Sequence, residues 1–261
     1  MNRSIRIIVL IAVFSPLFAQ HDTLNLLGKA SGGACASVEY KDGRLYAGVG
    51  ASMWVFDATD PLSDYVIARR EFLSLVTNII VQDDTTVFVG VNHDGLYALD
   101  GKQPDLPVLA SYLMPDHSHW VSDIEPVSHD TIWLCDINSI KKICFTGNSF
   151  VVLASYFDGR KIAGVAQRDT LLIVCTREIL SGNIELYNIV SGEPELIDIY
   201  SSPVLSLVMD AQFADLRDDI VYVLGGSPNL GVNGDFIALR FDGDSLYEVA
   251  RHNIHGIPMM A

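Results

Sequence analysis

Apolar positions along this chain come in runs of four to seven residues, broken at short intervals by glycine, asparagine, aspartate and proline. The stretch Arg44 to Pro61, RLYAGVGASMWVFDATDP, is typical. It holds two apolar runs, Leu45 to Val49 and Met53 to Phe56, parted by Gly50, Ala51 and Ser52 and closed by an Asp-x-x-Asp-Pro turn. That arrangement predicts a β-hairpin. The pattern returns from Thr85, Asp130, Asp169 and Asp218. Each unit closes with a further strand-like run, starting at Tyr65, Val108, Phe150, Glu195 and Leu246. From Ala34 onward a unit therefore reads strand, tight turn, strand, hairpin, strand, longer turn, strand.

The anchors Tyr46, Phe88, Trp133, Ile173 and Tyr222 recur at the roughly 40–50-residue period of four-stranded propeller blades. Alternation inside the runs is weak, which suits strands buried on both faces between stacked sheets. No segment sustains helical periodicity. The reading is all-β: a β-propeller of four-stranded blades with five complete repeats from Ala34 to about Arg251. The run Thr23 to Lys29, TLNLLGK, looks like the last strand of a repeat placed at the start of the mature chain, where it would clasp a ring shut. At the other end, Ile257 to Ala261 either closes a five-bladed ring or marks the start of a sixth blade in a truncated, larger propeller. The halt in mid-pattern favours the second.

The chain has 261 residues, about half of them apolar, enough to bury a full core. Arg3 and Arg6 precede an apolar run from Ile7 to Phe18 that ends at Ala19-Gln20. This is the shape of a secretory signal peptide over residues 1–19, leaving 20–261 as the repeat domain, although Leu17 is larger than the residue usual before a cleavage site. The run is too short for the roughly 20 residues of a membrane span, so no span is expected once the leader is removed. The formal charge of −15 becomes more negative by the two leader arginines on cleavage. With no basic stripe to offset it, nucleic acid is excluded as a partner.

Cys35, Cys135, Cys144 and Cys175 permit three disulfide connectivities in an exported protein. Cys135 and Cys144 could be bridged if they faced each other across their hairpin. The apolar strand contexts of all four favour free buried thiols instead, and their spacing matches no zinc or redox motif.

The succession small polar-Val-x-Val, Tyr-x-x-Val-Gly, Gly-Leu-x-x-x-Asp, Pro-x-Leu-x-x-x-Tyr resembles the LVIVD-type repeats of bacterial exported β-propellers. Arg44 to Pro61 and Val87 to Tyr112, with GLYALD and PVLASY, carry it best. It covers nearly all of the mature chain but is degenerate in the third to fifth units, where Phe145, Asn188 and Phe241 replace the aspartate that closes the third strand. The resemblance implies a propeller at the cell surface or outside the cell. It carries over no catalytic residue.

Candidate chemistry is placed by repeat position. His93 and Asp94 fall in the second hairpin, and Asp116, His117, His119 and Trp120 in the connection that follows, all expected on one face. Imidazoles and carboxylates can ligate a metal, and Trp120 could stack a sugar ring. The bland alternative is a solvated loop whose side chains serve local backbone groups. Ser37, Asn78, Asp123, Gly164 and Asp210 align at the starts of the channel-lining strands. Asp123 and Asp210 could hold a cation there, or simply accept hydrogen bonds from incoming backbone amides. Asn229, Asn233 and Asp235, in a long fifth hairpin from Ser227 to Asp235, could offer oxygens to calcium, though without the EF-hand spacing. Asp242-Gly243-Asp244 reads as a turn. No nucleophile elbow, zincin helix or phosphate loop is present. The sequence thus predicts an exported, non-catalytic binding scaffold without an obligate cofactor, its partner a protein or surface glycan. The alternative is a metal-dependent or glycan-active enzyme built on Asp123 and Asp210 with His93, His117 or His119.

Overall fold

A computed structural model of the chain describes residues 35–59, 65–83, 85–116, 119–177, 182–201, 207–213, 219–226 and 233–255. The leader, the Thr23 to Lys29 run, His117, Asn229 and Ile257 to Ala261 lie outside the described residues. Among the described residues there are twenty strands and no helix. The first sheet holds β1 (Cys35–Lys41), β2 (Arg44–Val49), β3 (Ser52–Asp57) and β4 (Val66–Glu71). The second holds β5 (Val76–Val81), β6 (Thr86–Val91), β7 (Gly95–Asp100) and β8 (Val108–Leu113). The third is β9 (Val121–Pro126), β10 (Thr131–Asp136), β11 (Ser139–Phe145) and β12 (Phe150–Tyr156). The fourth is β13 (Ile162–Arg168), β14 (Leu171–Arg177), β15 (Gly182–Asn188) and β16 (Glu195–Ser201). The fifth is β17 (Leu207–Phe213), β18 (Ile220–Gly226), β19 (Asn233–Phe241) and β20 (Leu246–His255).

Every sheet is a meander in which sequential strands are hydrogen-bonded neighbours. The chain divides into two compact units, Met1–Val121 with Cys144–Val151, and Ser122–Ile143 with Val152–Ala261.

The weak alternation of the sequence is explained by burial that grades across each sheet. β6 is buried along its whole length, and β10 at all but its first residue. The fourth strands are open, and the expectation of two buried faces does not hold for them. β12 exposes Val151, Val152 and Leu153, and β8 exposes Val108, Leu109 and Leu113. The first strands β5, β9 and β13 are edge strands too but are largely buried, so it is the fourth-strand edge of the sheet that meets solvent, whatever the polarity of its side chains.

The repeat anchors share one ladder position. Ser37 faces Gly48, Asn78 faces Gly90, Gly164 faces Cys175 and Asp210 faces Leu224, each just after an irregularity in the ladder of the first strand. Tyr46, Phe88, Ile173 and Tyr222 each lie two residues before those partners on the second strand. In the first unit Tyr46, Met53, Val55, Val76, Val87 and Leu99 form one apolar cluster between the first two sheets, and Phe88 packs on Phe145 and Phe150. In the second unit Trp133, Ile140, Val165 and Leu172 join the third sheet to the fourth, and Ile173, Leu186, Val223 and Ile237 join the fourth to the fifth. Burying such side chains at about 1.5–3 kcal/mol each is what sheets with two apolar faces gain by stacking.

None of the four cysteines forms a disulfide. Cys135 and Cys175 are buried, Cys144 is half-buried, and Cys35, expected inside, is exposed because it sits at the open start of β1.

Candidate functional site

One end of the blades in the first unit is stitched together by backbone hydrogen bonds that repeat from sheet to sheet. The β2–β3 turn accepts from the connection leaving β4: Phe72 N–H donates to the Ala51 carbonyl and Val76 N–H to Gly50. Asn92 N–H donates back to the Leu75 carbonyl at 2.8 Å. The β6–β7 turn is held the same way, with Met114 N–H donating to Asp94 and Val121 N–H to Asn92, at 3.0 Å each. Hairpin tips and blade-to-blade connections therefore share one rim, as the repeat pattern predicts.

Five of the residues singled out in the sequence stand on this rim. The exposed His93 ring packs edge-on against the half-buried Trp120, with centroids 5.7 Å apart and planes at 73°. His93 Nδ1 lies 3.4 Å from the His119 carbonyl oxygen. The Asp94 carboxylate accepts a hydrogen bond from the Tyr97 hydroxyl at 2.7 Å. Burial and that aspartate hold the Tyr97 phenol well above its ordinary pKa. Asp116 is exposed, and its carbonyl accepts from His119 N–H at 3.3 Å. The same rim carries two residues that the sequence reading did not single out. Leu73 is 91% exposed and Leu75 46%. Their signal was faint: LSLV looks like strand core, and only its position after the fourth strand marks it as a connection.

The channel-lining set behaves differently. Asp123 is 7% exposed, and its carboxylate accepts from two backbone amides, Ile124 N–H at 2.8 Å and Val165 N–H at 2.9 Å. Val165 follows Gly164 on the first strand of the next sheet, so this aspartate ties β9 to β13. The amides it takes belong to the strands β9 and β13, not to the incoming turn weighed in the sequence. Asp210 lies on β17 opposite Leu224.

The fifth hairpin requires a correction. The ladder runs on through Gly225 opposite Asp235 and Gly226 opposite Gly234, so Asn233 and Asp235 belong to β19 and not to a loop. Asp235 is buried at 5% exposure and forms an ion pair with Arg251 at 3.4 Å. Asp242 does make the turn expected of it, accepting from the N–H groups of Asp244 and Ser245. Among the described residues no three His, Cys, Asp or Glu side chains gather in a metal-holding arrangement.

Two charged clusters in the second unit were not singled out in the sequence: one joins residues far apart in the chain, the other lies within the β10–β11 hairpin. Arg160, between β12 and β13, reaches the buried Glu185 of β15 with both terminal guanidinium nitrogens, and the Tyr187 hydroxyl at 3.2 Å with Nη1. Burial and Glu185 push the Tyr187 phenol up to about 12. Asp136, at the end of β10, takes the Lys141 ammonium, the Ser139 hydroxyl and the Asn138 amide. Both clusters saturate their carboxylates and brace turns.

No family model matches the chain, and neither does any curated protein. Solved structures do. The computationally designed Ika8 protein matches with a TM-score of 0.58 and 13% identity over 84% of this chain and 61% of its own. BamB from Moraxella catarrhalis matches with 0.56 and 15% over 84% and 62%. The Cps50 (Swd1) β-propeller domain of Myceliophteria thermophila matches with 0.63 and 14% over 84% and 72%. The chain thus spans less than two thirds of the length of the first two. At such identities the likeness concerns the fold alone, and the fold is a β-propeller of four-stranded blades.

Proposed function

We propose that this chain is an exported, non-catalytic β-propeller of the LVIVD-repeat kind, binding a protein or a surface glycan through the rim that carries Leu73, Leu75, His93 and Trp120. The single observation behind this reading is the company Trp120 keeps: a half-buried indole, edged by an exposed imidazole, beside two exposed leucines on a rim locked by backbone hydrogen bonds. A rigid aromatic anchor amid exposed apolar groups is the usual chemistry of a binding hot spot. The leader-like residues 1–19 support export, to the cell surface, the periplasm or the medium. The reading needs no cofactor. An enzyme built on Asp123 would first have to strip that carboxylate of two amide donors, at a cost of about 1–3 kcal/mol for each group left unpaired.

The test is to express the full chain with its leader, collect the exported protein, and measure its binding to isolated cell envelopes. Export with cleavage after Ala19 and saturable binding are the expected results. Retention of the chain in the cytosol, or binding that rises without saturation, would sink the proposal.

A further inference from the structure

At the opposite end of the same strands, some 20 Å away by strand length, the first unit holds a cleft of about 310 Å³. It is lined by Lys41, Asp42, Arg44, Tyr46, Val81, Asp83 and Lys102. Three turns build it: β1–β2, β5–β6 and β7–β8. In a chain with a formal charge of −15 and 17 basic residues in all, three cations around one small cleft are out of keeping with the rest of the molecule. Lys41 and Arg44 are also directly opposed in the β1–β2 ladder, a like-charge pairing that destabilises a sheet unless something lies between.

The positions of these heads are fixed by the backbone. Lys41 Nζ donates to the Val81 carbonyl at 3.1 Å and the Gln82 carbonyl at 2.7 Å, which leaves one of its three ammonium hydrogens. Arg44 Nη1 donates to the Gly101 carbonyl at 3.2 Å, and Asp57 faces it across the β2–β3 ladder. Most of its five donors remain for another acceptor. Lys102 is exposed, its backbone amide bonded to Asp100 of its own turn. Tyr46, 3% exposed, forms the floor. On the acidic side, Asp42 is exposed at the turn tip, and Asp83 Oδ1 accepts from the amides of Thr85 and Thr86.

We propose that this cleft binds an acidic sugar of one ring, a hexuronate or a hydroxy acid of similar size. A carboxylate matches the planar fork of Arg44, with Lys102 beside it, in the bidentate way that guanidinium favours. Sugar hydroxyls supply the donors that Asp42 can accept. The mixed lining selects against the simpler ligands. A bare cation meets three positive groups, and a doubly charged phosphate brings two negative charges to a cleft with two carboxylates and has a single hydroxyl to donate to them. The volume sits at the small end of ligand pockets, near 300 Å³, which suits a single ring.

The experiment is calorimetric titration of the full chain with glucuronate, with glucose and inorganic phosphate as comparison ligands. The expected result is binding of glucuronate, no heat from glucose, and little displacement by equimolar phosphate. Lys102→Gln and Arg44→Lys should each weaken glucuronate about tenfold or more, the second because it keeps the charge and loses the fork. Among the described residues Lys102 braces nothing beyond its own turn, so that variant folds, as an unchanged urea midpoint will verify. Leu153→Ala, on the exposed β12, should leave the affinity unchanged. The proposal is overturned if glucuronate gives no binding, if phosphate displaces it one for one, or if both cleft variants bind like the parent chain.

Discussion

At the scale of the residue, the Asp123 carboxylate ties β9 to β13. Its two carboxylate oxygens each take one backbone amide, and one of those amides belongs to the neighbouring sheet. Replacing it with asparagine leaves one oxygen and puts an NH2 group against the other amide. Asp123→Asn should therefore lower stability by about 1–3 kcal/mol, read as a lower urea midpoint with an unchanged slope. Stability equal to the parent would mean that the carboxylate is not needed as a tie. Asp136 makes a separate prediction about acid. Burial alone would raise its pKa, but the Lys141 ammonium, the Asn138 amide and the Ser139 hydroxyl outweigh burial and hold it below the usual carboxylate range. A depressed folded pKa contributes stability that is present above the unfolded value, near ~3.9, and lost as pH falls through the folded one. Urea midpoints measured from neutral pH down through pH ~4 and below should fall less steeply for Asp136→Asn than for the parent. Parallel acid limbs would contradict the assignment.

At the scale of the element, the decisive features are the turns. Gly95 opens β7 directly after the turn that carries His93 and Asp94, at a φ of 147°. A Cβ there would stand 2.2 Å from the Tyr112 carbonyl oxygen, which is backbone and cannot swing aside. Gly95→Ala should cost roughly 1–3 kcal/mol and loosen the β6–β7 turn, visible as faster amide exchange at Asp94 and Met114. Protection unchanged at both amides would show that the tight approach is not required. Turns also decide how much could be read in advance. The strands, their order within each blade and the shared rim were legible, because Gly, Asn, Asp and Pro mark each reversal while apolar runs mark each strand. The end of the fifth hairpin was not. Asn233 and Asp235 look like loop formers, yet β19 already begins at Asn233, and Asp235 lies opposite Gly225 in the ladder. Leu73 and Leu75 were hidden for the converse reason, since an apolar residue in a connection has the same local pattern as one in a strand. Arg160 with Glu185, and Lys41 with Arg44 and Lys102, are pairings between elements, which periodicity within one element does not encode.

For the molecule as a whole, the blade is a self-contained meander that leaves two apolar faces, and the clusters between successive sheets are where those faces go. Such a scaffold holds its turns still, so function falls to what the turns carry. In the first unit one end presents leucine, imidazole and indole, and the other presents three cations and two carboxylates around a small cleft. The central claim is that the first of these ends is the binding face. The most direct measurement compares the dissociation constants of the exported chain, Trp120→Ala and His93→Ala for isolated cell envelopes, with Leu153→Ala on the exposed β12 as the control. Loss of a hot-spot tryptophan is worth 2 kcal/mol or more, about 30-fold in affinity. The account predicts that loss for Trp120→Ala, a smaller one for His93→Ala and none for Leu153→Ala. Equal affinities for the parent and Trp120→Ala would place the binding face elsewhere on the propeller and contradict it.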